Sequence, residues 1–295
     1  MAPSATLRRL LAEVAGYVRA AFVVAAVAVF VAPRWLDLSL TTRIGLLVGS
    51  AALLIAAGFA LGITGGGLRS LRTTAGALRR RLASVLLTGA SVAGAAAVLV
   101  YLIDWADRGP TSREDYIGMG GFLTLAVLAA LGYAVAPTLL GQSAVAVGAV
   151  YGSIFNWEAL DHSTSVRIAL TLLVLGVGWL ALAETRVWRE QLPARLVGAG
   201  LTLAGAQGLL DQHPSWAYVV TFLLGVAGFT AYTIRRAWPY LALGVVAVTL
   251  AVPEALLDWT TGTVGTALAL LGAGVTLLVA SLVGLRLRRQ GPPQS

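Results

Sequence analysis

The amide and charged side chains that fall inside long apolar stretches of this sequence are Glu13, Arg19, Gln142, Asn156, Gln207 and Glu254. Uncompensated polarity is expensive in hydrocarbon, so such groups mark a function unless something local satisfies them. Arg19 lies near the end of its stretch and can snorkel toward headgroups. Glu13 follows Arg9 by four residues, one helical turn, where the two can pair. Gln207, in a short glycine-rich stretch, has no such outlet. Glu254 follows Pro253, whose missing N–H frees a backbone carbonyl one turn earlier. A carboxylate and a carboxamide so placed suit a cation or a hydrogen-bonding solute, and Gln207 and Glu254 are the candidate substrate-binding residues.

Other chemistries find less support. Asp161-His162 and Asp211-x-His213 carry ligand types for a divalent metal. They stand on separate loops without the helical spacing of a zinc site, and solvated loop residues are the better reading, so no metal is expected. With no Cys there is no disulfide, thiolate nucleophile or sulfur-ligated metal. No phosphate-binding G-x-x-x-x-G-K-[ST], no G-x-S-x-G elbow and no zinc-helix signature occurs. The expectation is a protein without cofactor that is not an enzyme.

The elements that must position these residues follow from composition. Of 295 residues, 58% are hydrophobic and 12% charged, about half the charged share of a soluble domain. Apolar periodicity and punctuation predict an all-α polytopic bundle forming a single integral membrane domain over 1–295. Ten spans are expected near 15–32, 44–62, 83–103, 117–136, 139–157, 166–183, 196–210, 216–234, 239–257 and 263–285. They would use about 200 residues, which leaves no room for a soluble catalytic domain. No charge occurs between Asp115 and Glu158, too long for one helix in a bilayer, and Pro137 and Gly141 supply a turn there. The seventh span is the shortest. The first, preceded by Arg8 and Arg9 and interrupted by Glu13 and Arg19, reads as an uncleaved span rather than a signal peptide.

All 21 basic residues are Arg, and their distribution gives an orientation. Fifteen fall on one side of the predicted spans and five on the other, with Arg19 inside the first. Cytoplasmic loops carry the excess, which predicts cytoplasmic N- and C-termini and an even span number. The same scatter over short loops argues for a membrane and against nucleic acid as partner. Most acids, both histidines and Trp35, Trp105, Trp157, Trp216 and Trp259 fall on the opposite face, the tryptophans as an interfacial belt. The absence of Lys and the single Asn156 suggest a G+C-rich genome, hence a bacterial inner membrane.

An internal repeat organises the spans. Leu36-Asp37-Leu38-Ser39 to Arg43-Ile44 lines up with Leu160-Asp161-His162-Ser163 to Arg167-Ile168. The displacement is four spans, so the repeat is parallel. Looser Asp turns at Asp104, Asp211 and Asp258 suggest five helical hairpins, each closed on the outer side, with Asp, Ser and Thr capping the helix that follows. Small residues, among them Gly45 and Gly49, Gly148 and Gly152, and Gly198, Gly200, Gly205 and Gly208, permit close helix contact or an oligomer seam. Leu68, Leu71, Ala75, Leu78 and Leu82 share one helical stripe flanked by Arg69, Arg72, Arg79, Arg80 and Arg81. That pattern predicts an amphipathic segment docked on anionic lipid at the cytoplasmic leaflet.

The opening Glu13-Val14-Ala15-Gly16-Tyr17, followed by Trp35-Leu36-Asp37-Leu38-Ser39 and an Arg-Ile start to the second span, resembles bacterial polytopic membrane proteins of unknown function with an N-terminal E-x-x-G-Y segment. The resemblance covers mainly the first 65 residues and implies no particular activity. Drug/metabolite-type transporters also place about ten spans in this length, but a parallel repeat argues against them. Two readings stand: a carrier for a small solute or lipid, and a non-catalytic scaffold or subunit, homo-oligomeric or bound to another membrane protein.

Overall fold

The computed structural model describes residues 32–63, 67, 77–109, 115–160 and 165–259, with scattered positions between 267 and 282. All but the last residue of the expected first span, most of the tenth, the E-x-x-G-Y opening, Arg69, Arg72, Asp161 and His162 therefore lie outside the described residues. Within them a 3-10 turn, Ala32–Asp37, precedes α1 (Leu40–Ile63), α2 (Ala77–Asp107), α3 (Asp115–Val135), α4 (Leu139–Leu160), α5 (Ser165–Glu184), α6 (Gln191–Gln207), α7 (Pro214–Arg235) and α8 (Trp238–Trp259). No strand occurs among the described residues. These eight helices correspond to the second through ninth expected spans. All except α6 are long and apolar enough to cross a bilayer, seven in number, and the chain is a multi-pass membrane protein. At 17 residues, α6 is about 26 Å long, a little short of a hydrocarbon core of about 30 Å.

The distribution of side chains is that of a protein dissolved in lipid. Leu53, Val174 and Leu223 are 73%, 67% and 59% exposed, while Ala83, Ala136, Ala183, Ala194, Ala217 and Ala247 are fully buried. Lipid tails are as apolar as Leu, so association rests on close packing of small residues rather than on expelling apolar surface from water. Gly148 lies against the backbone of Ala126, where an added Cβ would come within 2.5 Å of the Ala126 nitrogen, and Gly228 lies similarly against Gly244. Only glycine permits backbones this close.

These approaches decide which helices pair. The extensive contacts are α1 with α2, α3 with α4, α5 with α6 and α7 with α8, each joined at the Arg-rich end. The expected pairs were those closed by outer Asp turns. Of these, α2 with α3 packs closely, but α4 with α5 and α6 with α7 meet only along short stretches. Asp and Ser cap helix starts without bringing helix faces together, whereas the glycines do. Ser39 performs that capping role: its hydroxyl accepts from the Thr42 N–H at 3.3 Å, and Arg43 closes the turn by donating to the carbonyls of Leu38 and Leu36 at 3.0 and 2.7 Å.

The result is two four-helix groups, α1–α4 and α5–α8. In each, the first helix pairs with the second, the third with the fourth, and the second also touches the fourth, whereas the second and third pack closely only in α1–α4. The groups are pinned together at both ends of the bundle. At the Arg-poor end Trp157 donates to Thr171 at 2.7 Å and the Arg167 guanidinium lies 5.6 Å from the Trp157 ring centre. At the Arg-rich end Trp188 stacks on Trp179 and meets Tyr133 edge-on, with ring centres 4.6 and 4.9 Å apart.

Two boundaries differ from expectation. Pro137 does break the chain between α3 and α4, but Gly141 belongs to the first turns of α4. The amphipathic stripe expected to lie on the membrane ends in α2 instead: Leu78, Arg79, Arg80, Arg81 and Leu82 are its opening turns. At 31 residues, or about 46 Å, α2 overshoots the hydrocarbon and carries these arginines to the headgroup level. A run of good helix formers gives no reason to stop before the apolar segment begins.

Candidate functional site

The two residues selected for uncompensated polarity meet in space. Gln207 is the last residue of α6, and Glu254 lies in the final two turns of α8, 47 positions later. The Gln207 carboxamide donates to Glu254 Oε2 at 3.2 Å and to Thr221 Oγ1 of α7 at 3.1 Å. Three helices thus contribute an amide, a hydroxyl and a carboxylate to one partly buried cluster. Among the described residues no cation lies within ion-pair distance of Glu254.

Local sequence explains each position. Gly205 and Gly208 bring the end of α6 onto Ala169 and Leu173 of α5, which fixes the depth of Gln207. Pro253 remains inside α8, so the Thr249 carbonyl one turn earlier loses its helical partner, while the Thr249 hydroxyl is engaged with the Val245 carbonyl at 2.7 Å. One turn outward from Glu254, Asp258 accepts from Tyr218 at 3.3 Å, and Tyr218 meets Trp259 edge-on at 5.9 Å. Polar rungs therefore lead from the Arg-poor end of the bundle down to Glu254. An apolar cleft of about 320 Å³ runs between the same two helices, walled by Tyr218, Phe222, Ala251, Ala255 and Trp259.

Thr221, fully buried, completes the cluster but gives no sequence signal, because a hydroxyl in a spanning helix usually bonds back to its own backbone. Thr202 does so, to Gly198 and Ala199.

A second polar assembly went unassigned in the sequence. Glu184, an acid on the Arg-rich side, ends α5 and collects partners from three other helices. Arg195 of α6 donates to Oε1 at 2.8 Å, Tyr240 of α8 donates to the same oxygen at 2.6 Å, and Arg235 of α7 reaches Oε2 at 3.0 Å. Arg195 also bonds Gln191 at 3.2 Å and lies 5.7 Å from the Tyr240 ring centre. Its sign, opposite to its surroundings, is the signal that distinguishes it. Every member has a partner, so the assembly is a clamp that gathers the basic ends of α5–α8. Arg79, Arg80 and Arg81 stand at the basic end of α2, and Arg80 has Arg189 among its charged neighbours.

Asp211 is exposed, and His213 occupies the position before α7, where its backbone N–H donates to Leu209 at 2.8 Å. No group of three or more metal-ligating side chains occurs among the described residues.

No family model, curated protein or solved structure matches this chain.

Proposed function

We propose that this protein is a carrier for a small solute or lipid, with Gln207, Thr221 and Glu254 at its binding site. The observation that supports this reading is the convergence of an amide, a hydroxyl and a carboxylate from three helices inside an apolar bundle, without a paired cation among the described residues. A structural role alone is better served by neutralised charge, as at Glu184. The ligand presents a cation or a hydrogen-bond donor to Glu254. The reading includes a bacterial inner-membrane location, ten spans, cytoplasmic termini and a place among the E-x-x-G-Y membrane proteins. It involves neither cofactor nor covalent chemistry.

Native mass spectrometry of the protein extracted in its own lipid patch tests this without a guess at the substrate. The expected result is a reproducible small molecule or single lipid species, lost in Glu254→Ala and Gln207→Ala variants that remain folded. A stoichiometric protein partner with no retained ligand would refute the carrier.

One observation favours the scaffold reading as the alternative. Among the described residues nothing lies within 4 Å of a Cβ added at Gly45 or Gly49, four residues apart on α1. This is the geometry at which a second membrane helix, from another copy or another protein, packs closely. Cross-linking lost in Gly45→Leu would support it, and unchanged migration as a single chain would count against it.

A further inference from the structure

The Arg-poor end of the α5–α8 group carries acids that the chain does not neutralise. No Arg or Lys occurs between Arg195 and Arg235 or between Arg236 and Arg286, whereas Asp211, Glu254 and Asp258 fall within those stretches. Arg167, at the same end, lies over the Trp157 ring. Among the described residues no cation comes within ion-pair distance of Glu254 or Asp258. A carboxylate at the edge of hydrocarbon is stabilised by positive charge, of which this end of the chain has little.

The cleft between α7 and α8 leads to these acids. Tyr218, early in α7, and Trp259, the last residue of α8, wall its Arg-poor end, and Phe222, Leu223, Ala251 and Val252 wall its deeper end. The Tyr218 hydroxyl donates to Asp258 Oδ2 at 3.3 Å, and the Tyr218 and Trp259 rings stand at 85° with centres 5.9 Å apart. One wall residue of the cleft therefore holds a carboxylate on its hydroxyl and an indole against its ring. Trp259 is 69% exposed, which leaves indole surface open, and an indole face attracts a cation more strongly than the other aromatic rings do. Apart from the Tyr218 hydroxyl the walls are apolar. From Ala251 to Trp259 α8 rises about 12 Å, a length that a hydrocarbon chain can follow. Leu223 and Phe222 are 59% and 46% exposed, so the cleft opens sideways to lipid.

We propose that the α7–α8 cleft binds a lipophilic ammonium ion, its chain along Phe222 and Ala251 and its head at Trp259 beside Asp258. The indole face and the carboxylate both favour positive charge. A phospholipid fits less well, because its phosphate would meet acids without an arginine to pair it. The inference rests on the carrier reading, whose ligand class it names. Glu254, one turn inward from Asp258 and tied to Gln207 at 3.2 Å, is the next anionic partner on the path of the head.

The test uses the full chain in maltoside micelles and three probes that share a ten-carbon chain: decyltrimethylammonium, decanol and decanoate. Affinity is read from the rise in unfolding temperature with probe concentration. The ammonium should bind about tenfold or more tighter than the alcohol, with decanoate weakest. Asp258→Asn keeps an acceptor for Tyr218 and removes only the charge, and Trp259→Leu keeps apolar bulk and removes the ring. Both positions are exposed, so both variants fold, and each should weaken the ammonium about threefold or more. Asp258→Asn should leave decanol unchanged. Ammonium affinity retained in both variants overturns the inference. So does equal binding of the three probes, an outcome that leaves the carrier reading standing. Uptake of decyltrimethylammonium into proteoliposomes separates the two further: head-selective binding without uptake supports the cleft and its ligand class but refutes transport.

Discussion

Replacing Gly205 by Ala should separate the contact that seats α6 from the chemistry at its end. An added Cβ would lie against the backbone nitrogen of Leu173 and within 2.6 Å of the Ala169 carbonyl oxygen. Both neighbours are backbone, so relief requires α6 to retreat by about 1 Å to ordinary contact distance. Gln207 rides on the same helix end, and its bonds at 3.1 and 3.2 Å would stretch beyond hydrogen-bonding range. Overpacking of this kind costs about 1–3 kcal/mol, offset by up to about 1 kcal/mol from the better helix propensity of Ala. The net expectation is a loss of about 0–2 kcal/mol together with a loss of ligand as complete as in Gln207→Ala. Gly200→Ala on the same helix is the control, because nothing lies within 4 Å of its added Cβ and only the propensity gain applies. The assay is thermal unfolding in nanodiscs, with ligand retention measured by native mass spectrometry. A Gly205→Ala variant as stable as Gly200→Ala and still holding its ligand would refute the reasoning.

Further outcomes follow from the polar assemblies. Arg195→Ala should destabilise by about 2 kcal/mol by leaving Glu184 short of a charged hydrogen bond, whereas Arg235→Ala, whose side chain is 56% exposed, should cost less than about 1 kcal/mol; equal losses in unfolding experiments would show that Glu184 is not the centre of the clamp. Tyr133→Phe removes the acceptor for the Arg189 N–H and should cost about 1 kcal/mol, with faster hydrogen exchange at Arg189 as the local readout. Arg43→Gln should open the turn before α1 to proteolysis while leaving the rest of the bundle intact, and unchanged cleavage there would show that its two carbonyl contacts are dispensable.

The eight described helices are legible in the sequence because all but the shorter α6 are long apolar runs bounded by charge, Pro or a capping residue. Hydrocarbon forces such runs into helices, so little else competes. Helix pairing is not legible in the same way. It depends on which glycine face meets which backbone, as at Gly148 and Ala126, and nearly every helix here offers glycines. Gln207 and Glu254 stand out because the expense of polarity in lipid is independent of fold. Thr221 cannot be found by that argument, since a hydroxyl satisfies itself. Gln142 is visible as a polar residue in an apolar span, but its lack of partners emerges only when α2 and α4 are packed around it.

A four-helix unit enters and leaves the membrane on one side. Two such units joined in tandem therefore keep the same sidedness, and one arginine bias can orient both. Each copy is free to specialise its interior. The α1–α4 copy holds Ser84, Thr138 and Gln142 toward the basic face, and the α5–α8 copy holds Gln207, Thr221 and Glu254 toward the acidic one. The α5–α8 unit therefore presents ends of opposite character, with Arg195 and Arg235 gathered around Glu184 at one and Asp211 and Asp258 at the other.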